Sequence, residues 1–310
     1  MRINYRVRPN KIIERKMMAE ALQRLSRLEP LSNYQYVGFG SVFFSDFRLF
    51  HNQLCIQPMI SIEKDVDDIE RYTYNAPFDC VQVIGGESND VLPELDWTGQ
   101  RIVWLDYTST PNSQVLIDID YLARRLVSHS VLIVTVNADP EALTRKGTKF
   151  KSMRDELAKR VGEDRIAFVT EAARLVGWSL ASTYRAILLS ELQASLNGRN
   201  AAGDPAVLFR QIFNFTYSDG KKMLTFGGVF HTADDVPALN DCRLEELDFY
   251  RDGDAQYLID APNLTPRELL GLKSCLPGGD GGEDVPVEAG ERQRLARIYR
   301  YYPLFSEMDL

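Results

Sequence analysis

Apolar residues at Ile13, Met17, Met18, Ala21, Leu22, Leu25 and Leu28 recur at helical spacing, and Pro30 closes the segment, which predicts a helix over Ile12–Leu28. The pattern then changes. Five short runs follow: Tyr36-Val37-Gly38-Phe39-Gly40, Met59-Ile60-Ser61-Ile62-Glu63, Cys80-Val81-Gln82-Val83-Ile84, Ile102-Val103-Trp104-Leu105-Asp106 and Val131-Leu132-Ile133-Val134-Thr135-Val136. Each is apolar almost throughout, as in parallel strands covered on both faces. Between them, helical patterns occupy roughly 43–52, 66–75, 89–95 and 113–127, the last with Val115, Leu116, Ile119, Leu122, Ala123 and Leu126 on one face. Such alternation predicts right-handed βαβ units in an α/β, Rossmann-like doubly wound sheet.

Beyond the fifth strand, one charged helix is predicted from Glu141 to Val161 and an apolar-faced one from Ser179 to Leu196. The runs Ile212–Tyr217 and Met223–Phe226 flank Ser218-Asp219-Gly220-Lys221, whose Asp-Gly pair suits a hairpin turn, so the sheet ends in an antiparallel pair. Proline and glycine rise after Asp234, Pro277–Gly282 reads as a flexible loop, and a last helix spans about Gly290 to Tyr302. The organisation expected is an N-terminal basic helical segment (1–33), a central Rossmann-like domain (34–233) and an α-rich C-terminal extension (234–310).

Composition narrows the class. Of 310 residues, 45% are hydrophobic and 26% charged, which excludes a disordered chain. At this length roughly 75% of the unfolded surface can be buried, so neither disulfides nor metal are required for a core. With 36 basic against 44 acidic residues the net charge is -8, which excludes a protein basic all over but leaves room for a local basic patch. Four scattered cysteines and three histidines (His51, His129, His231) offer no closely spaced metal-ligand pair, so no metal site is expected. The charged N-terminus lacks the apolar core of a signal peptide and no run approaches 18 apolar residues, giving a cytoplasmic expectation.

In an open parallel sheet the ligand lies beyond the carboxyl ends of the strands, where strand order reverses. The residues at those ends are suggestive. Gly38-Phe39-Gly40-Ser41 is a turn that lets backbone approach a ligand before a helix N-terminus. Glu63 closes the second strand at about the spacing where an acid meets ribose hydroxyls in nucleotide folds. Gly86-Glu87-Ser88-Asn89 follows the third strand, and Asp106-Tyr107-Thr108-Ser109 the fourth. Each acid could instead cap a helix, although Asp106, so close to a buried run, needs a partner.

Together these positions resemble the class I S-adenosylmethionine-dependent methyltransferases, over about Tyr34 to Thr232, and within them are closer to proteins loosely described as O-methyltransferases. The resemblance implies S-adenosylmethionine as cofactor. It assigns the methionine part of that cofactor to Gly38, Phe39, Gly40 and Ser41, the ribose hydroxyls to Glu63, and the adenine amine to Glu87. Asp106 and Tyr107 would face methionine and acceptor and carry the chemistry. Two positions depart from the family pattern: Tyr36 stands at the usual strand-one acid and Val42 at the usual third glycine. Asp46 is the acid placed to substitute. The function expected is methyl transfer, O-directed, with the acceptor open. The rival is a silent binding or regulatory module on the same fold. A nicotinamide-dependent dehydrogenase fits less well, because its glycine motif would need glycine at Phe43.

Two basic runs complete the picture: Arg2, Arg6, Arg8, Lys11, Arg15 and Lys16 before the sheet, and Arg145–Lys151 after the fifth strand. They read either as solvated helix faces or as a groove for phosphates of nucleic acid. His231, after the hairpin, is either a structural histidine or a base.

Overall fold

The computed structural model describes residues 8–201, 205–278 and 284–303. Eight strands form one sheet in the order β3-β2-β1-β4-β5-β7-β6-β8. They are β1 (Gln35–Gly38), β2 (Met59–Glu63), β3 (Val81–Gly85), β4 (Arg101–Asp106), β5 (Val131–Asn137), β6 (Leu208–Ser218), β7 (Lys222–His231) and β8 (Tyr257–Ile259). The first five pair in parallel, and β7 runs antiparallel to both β5 and β6. Strand order reverses between β1 and β4, where Gly38 stands beside Trp104. The sheet has one strand more than the pattern suggested: β8, in the C-terminal segment, pairs in parallel with β6.

Alternate residues of the central strands serve opposite faces, as the pleat requires. Tyr36, Ile102, Trp104 and Ile133 enter one apolar cluster with helices α1 (Pro9–Leu25) and α2 (Ser45–Leu54) and with C-terminal residues such as Leu244, Phe249 and Leu295. Val37, Val103, Leu105, Leu132 and Val134 enter the other, under α5 (Ser113–Arg125), α7 (Phe150–Val161) and α8 (Ser179–Asn200). Each fully buried aliphatic side chain in these layers contributes about 1.5–3 kcal/mol.

The remaining helices are α3 (Ile69–Asn75), α4 (Ser88–Val91), α6 (Pro140–Leu143), α9 (Val236–Asp241), α10 (Pro266–Ser274) and α11 (Ala289–Ile298). The helix expected over Glu141–Val161 is two helices, α6 and α7, parted by a loop in which Gly147 has φ +83°. Pro9 at the first turn starts α1 three residues earlier than its apolar spacing suggested. The hairpin turn falls where expected, with Gly220 at φ +96°. The glycine loop at Pro277–Gly282 lies mostly outside the described residues. No described helix is long and apolar enough to cross a membrane.

Candidate functional site

A cavity of about 650 Å³ opens at the carboxyl ends of β1, β2, β3 and β4. Its wall brings together Phe39, Gly40 and Ser41, Glu63, Glu87, and Asp106 with Tyr107, residues from four separate loops of the chain. Its size is that of a small-molecule site. Gly38 ends β1 beneath this wall.

The first turn is built tightly. A Cβ on Gly40 would meet the Phe44 ring at 2.5 Å and the Ser61 hydroxyl at 2.7 Å, so only glycine fits there. Ser41 and Phe44 both sit in the left-handed region, at φ +50° and +46°, which costs about 1–2 kcal/mol per residue. Strain of this kind concentrates at functional sites. Beneath the turn, Ser61 holds two groups in place. Its hydroxyl accepts from the Gly40 N–H at 2.9 Å and donates to Glu63 at 2.7 Å. A serine inside an apolar strand is the sequence signal for this bridge.

Burial raises the Glu63 carboxyl above its ordinary value, with the nearby Asp46 charge adding to the rise, while Ser61 and the N–H groups of Ser41 and Gly40 pull the other way. Asp46, in the first turn of α2, also lines the cavity and is also raised by burial, against the opposing charge of Arg15. The Tyr36 hydroxyl donates to it. Tyr36 of β1 therefore holds an acid that arrives from α2. Glu87, by contrast, is partly exposed and pairs with Lys64 at 2.6 Å. A surface pair of this kind contributes no more than about 1 kcal/mol, so Glu87 can exchange its partner readily.

Asp106 has the partner that its position demanded. Lys11, 2% exposed, reaches it from α1 at 3.0 Å, lies 2.8 Å from Glu14, and donates to the Tyr217 hydroxyl at 3.0 Å. The Lys11 ammonium also stands over the Trp104 ring. Trp104 in turn donates to Thr135, whose hydroxyl shares a 2.8 Å hydrogen bond with Thr225, and Thr225 donates to the fully buried Glu14. Burial raises the Glu14 carboxyl, with Lys11 opposing. The Tyr107 ring meets Phe39 edge-on at 5.3 Å, and its hydroxyl donates to Asp118 of α5, which also accepts from Ser88 and Asn89. Burial and the Asp118 charge push the Tyr107 hydroxyl well above its ordinary range.

The basic runs need correction. Lys11 and Arg15 are buried and turned inward, so they belong neither to a solvated face nor to a surface groove for phosphate. Lys16 is half-buried, and Arg2 and Arg6 lie outside the described residues. In the second run Arg145, Lys146, Lys149 and Lys151 are exposed, and none lines the cavity. His231 ends β7, beside the amino end of β5, with its ring bonded to the Thr232 carbonyl, at the end of the parallel strands opposite the cavity. Among the described residues, no group of three or more His, Cys, Asp or Glu could hold a metal ion.

Residues 3–310 match the family described as "Putative O-methyltransferase". The chain belongs to this family. No curated protein matches it. Among solved structures, this family member is similar to Trm1 from Pyrococcus horikoshii in complex with S-adenosyl-L-methionine, with 13% identity over 77% of this chain and 58% of that one and a TM-score of 0.47. It is also similar to spermidine synthase from Thermotoga maritima, with 11% identity over 80% and 68% of the two chains and a TM-score of 0.45. For the O-methyltransferase TomG from Streptomyces achromogenes, in complex with SAM, the identity is 14%, the coverage 68% and 79%, and the TM-score 0.36. The chain spans less than two thirds of the length of the Trm1 structure.

Proposed function

We propose that this chain is an S-adenosylmethionine-dependent methyltransferase that binds its cofactor in the rim cavity and methylates an oxygen acceptor presented beside Asp106. One observation carries the reading: the Gly40 turn, Glu63, Glu87 and Asp106 lie on four different loops yet line one cavity at the point where strand order reverses. Membership of the family supports it.

The residues suit the group. Glu63 and Asp46 are buried carboxylates on the cavity wall, one placed for a ribose diol and the other for an ammonium. Glu87 stands at the mouth, where an adenine amine would reach it. Gly38, Phe39, Gly40 and Ser41 give a closely approachable backbone on the methionine side. Bound S-adenosylmethionine supplies a methyl carbon made electrophilic by its sulfonium. The protein's work is then alignment of the acceptor and removal of its proton. Asp106, 23% exposed and gripped by Lys11, is the carboxylate at the acceptor side. Tyr107 contributes its ring as a wall, since its hydroxyl is committed to Asp118.

Titration calorimetry with S-adenosylmethionine tests the reading. Saturable binding is expected, followed by transfer of a labelled methyl group that Asp106→Asn lowers by about 10²–10⁴-fold without a comparable loss of folding. Binding of NAD in place of S-adenosylmethionine would overturn it.

A further inference from the structure

One cation on the cavity wall is unused by the chemistry above. Arg15 of α1 is 6% exposed, lines the cavity, and among the described residues makes no hydrogen bond or ion pair; its Nε is buried without a partner. The guanidinium lies over Trp104, with Cζ 6.0 Å from the ring centroid. Its helical neighbour Lys11, one turn away, is fully engaged by Glu14, Asp106 and Tyr217, so the two cations are treated differently by the same helix. A buried guanidinium left without an anion is costly, and such a group aimed into a cavity calls for an anionic ligand.

Asp46, on the same wall, feels the Arg15 charge and accepts from the Tyr36 hydroxyl. Neither closes on the other as an ion pair. The cavity therefore presents on one wall, with the Gly40 turn, a guanidinium without an anion and a buried carboxylate that feels its charge. An α-amino acid end carries the complementary pair, a carboxylate and an ammonium on one carbon. A guanidinium fork is the group best shaped for the carboxylate.

We propose that Arg15 and Asp46 form a clamp for the amino-acid end of S-adenosylmethionine, Arg15 taking its carboxylate and Asp46 its ammonium; the inference rests on the cofactor reading above. Helix α1, which precedes the sheet in the chain, thereby supplies part of the cofactor site. It reaches the cavity because its polar residues are paired inward against β4, β6 and β7.

Calorimetry with three probes tests this: S-adenosylmethionine, its decarboxylated form, and 5′-methylthioadenosine, which lacks the whole amino-acid end. Wild type should prefer S-adenosylmethionine to the decarboxylated form by about tenfold or more, the scale of a charge-assisted hydrogen bond. Arg15→Gln should weaken S-adenosylmethionine by about 10–100-fold, leave the decarboxylated form within about threefold, and so abolish the preference. Arg15→Lys, which keeps the charge, should retain part of it. Asp46→Asn should weaken both amine-bearing probes and spare 5′-methylthioadenosine. Equal weakening of all three probes by Arg15→Gln, or none, would overturn the clamp. Should that variant not fold, equal affinity of wild type for S-adenosylmethionine and its decarboxylated form would overturn it as well. Wild type binding none of the three would instead overturn the cofactor reading on which the clamp stands.

Discussion

The two ends of the parallel sheet treat their carboxylates in opposite ways. At the amino end, Asp235 precedes α9 and accepts from the Ser128 hydroxyl at 2.5 Å, the Thr232 N–H at 2.7 Å, the Thr232 hydroxyl at 2.8 Å and the His129 ring at 2.9 Å. Burial alone would raise this carboxyl, but those donors together pull it well below the usual carboxylate range. At the carboxyl end, Glu63 has the Ser61 hydroxyl and the N–H groups of Ser41 and Gly40, and Asp46 has the Tyr36 hydroxyl and a backbone N–H, yet burial outweighs these donors and lifts both acids above their ordinary values. One end is saturated and closes a corner of the fold. The other holds acids raised by burial around a cavity, next to two non-glycine residues in left-handed backbone. The fold is stabilised at the first end and gives up stability at the second, which is the arrangement a cationic ligand would reward.

Substitutions can break this contrast, and the largest effect should come from the cation that pairs with Asp106 at the carboxyl end. Lys11→Met removes the partner of the fully buried Glu14 and should cost about 3–5 kcal/mol in urea unfolding, because an uncompensated charge stays behind. A loss under about 1 kcal/mol would mean that this network does not hold α1 on the sheet. Asp235→Asn should cost about 1–3 kcal/mol by leaving donors poorly served, with no effect on ligand binding. Because its folded pKa is lowered, the stability that Asp235 contributes is present above its unfolded value and lost as pH falls; in the variant that acid-side loss should shrink.

Glu63→Gln should behave in the reverse manner. Its folded pKa is raised, so its contribution to stability is present below the unfolded value, near pH 4, and is lost as pH rises through the folded one. The substitution should therefore leave the ligand-free protein unchanged or more stable by up to about 1 kcal/mol, while weakening S-adenosylmethionine by about 1–3 kcal/mol. The smallest effect is the pH slope of ligand stabilisation. The rise in Tm on adding S-adenosylmethionine should grow as pH rises through the raised values of Asp46 and Glu63, and grow less in Glu63→Gln. A flat profile in wild type would remove these acids from the ligand's charge.

Much of this was legible in the sequence because its signals are local. Runs such as Val131–Asn137 and Ile102–Asp106 are apolar on both faces, and Glu63 and Asp106 sit at the ends of such runs. Asp219-Gly220 marked the hairpin through the left-handed conformation that glycine accepts. What escaped depends on distant partners. Lys11 and Arg15 looked like surface residues because nothing nearby in sequence shows that Tyr217 and Trp104 will cover them. Tyr257–Ile259 is too short to show a strand period, and becomes one only by adding to β6. The continuous helix expected over 141–161 failed at Thr144–Lys149, where charged helix-forming residues masked the break at Gly147. Ser61 was visible as a polar residue in an apolar strand, but its bridge from Gly40 to Glu63 needed the turn to be folded above it.

The central claim is that the acids raised by burial at the carboxyl end, and not the lowered acid of the amino end, receive the ligand. Calorimetric titration of S-adenosylmethionine into wild type, Glu63→Gln and Asp235→Asn addresses it in one series. The account predicts saturable binding to wild type, a loss of about tenfold or more in Glu63→Gln, and unchanged affinity in Asp235→Asn. No binding to wild type, or equal binding by wild type and Glu63→Gln, would contradict it.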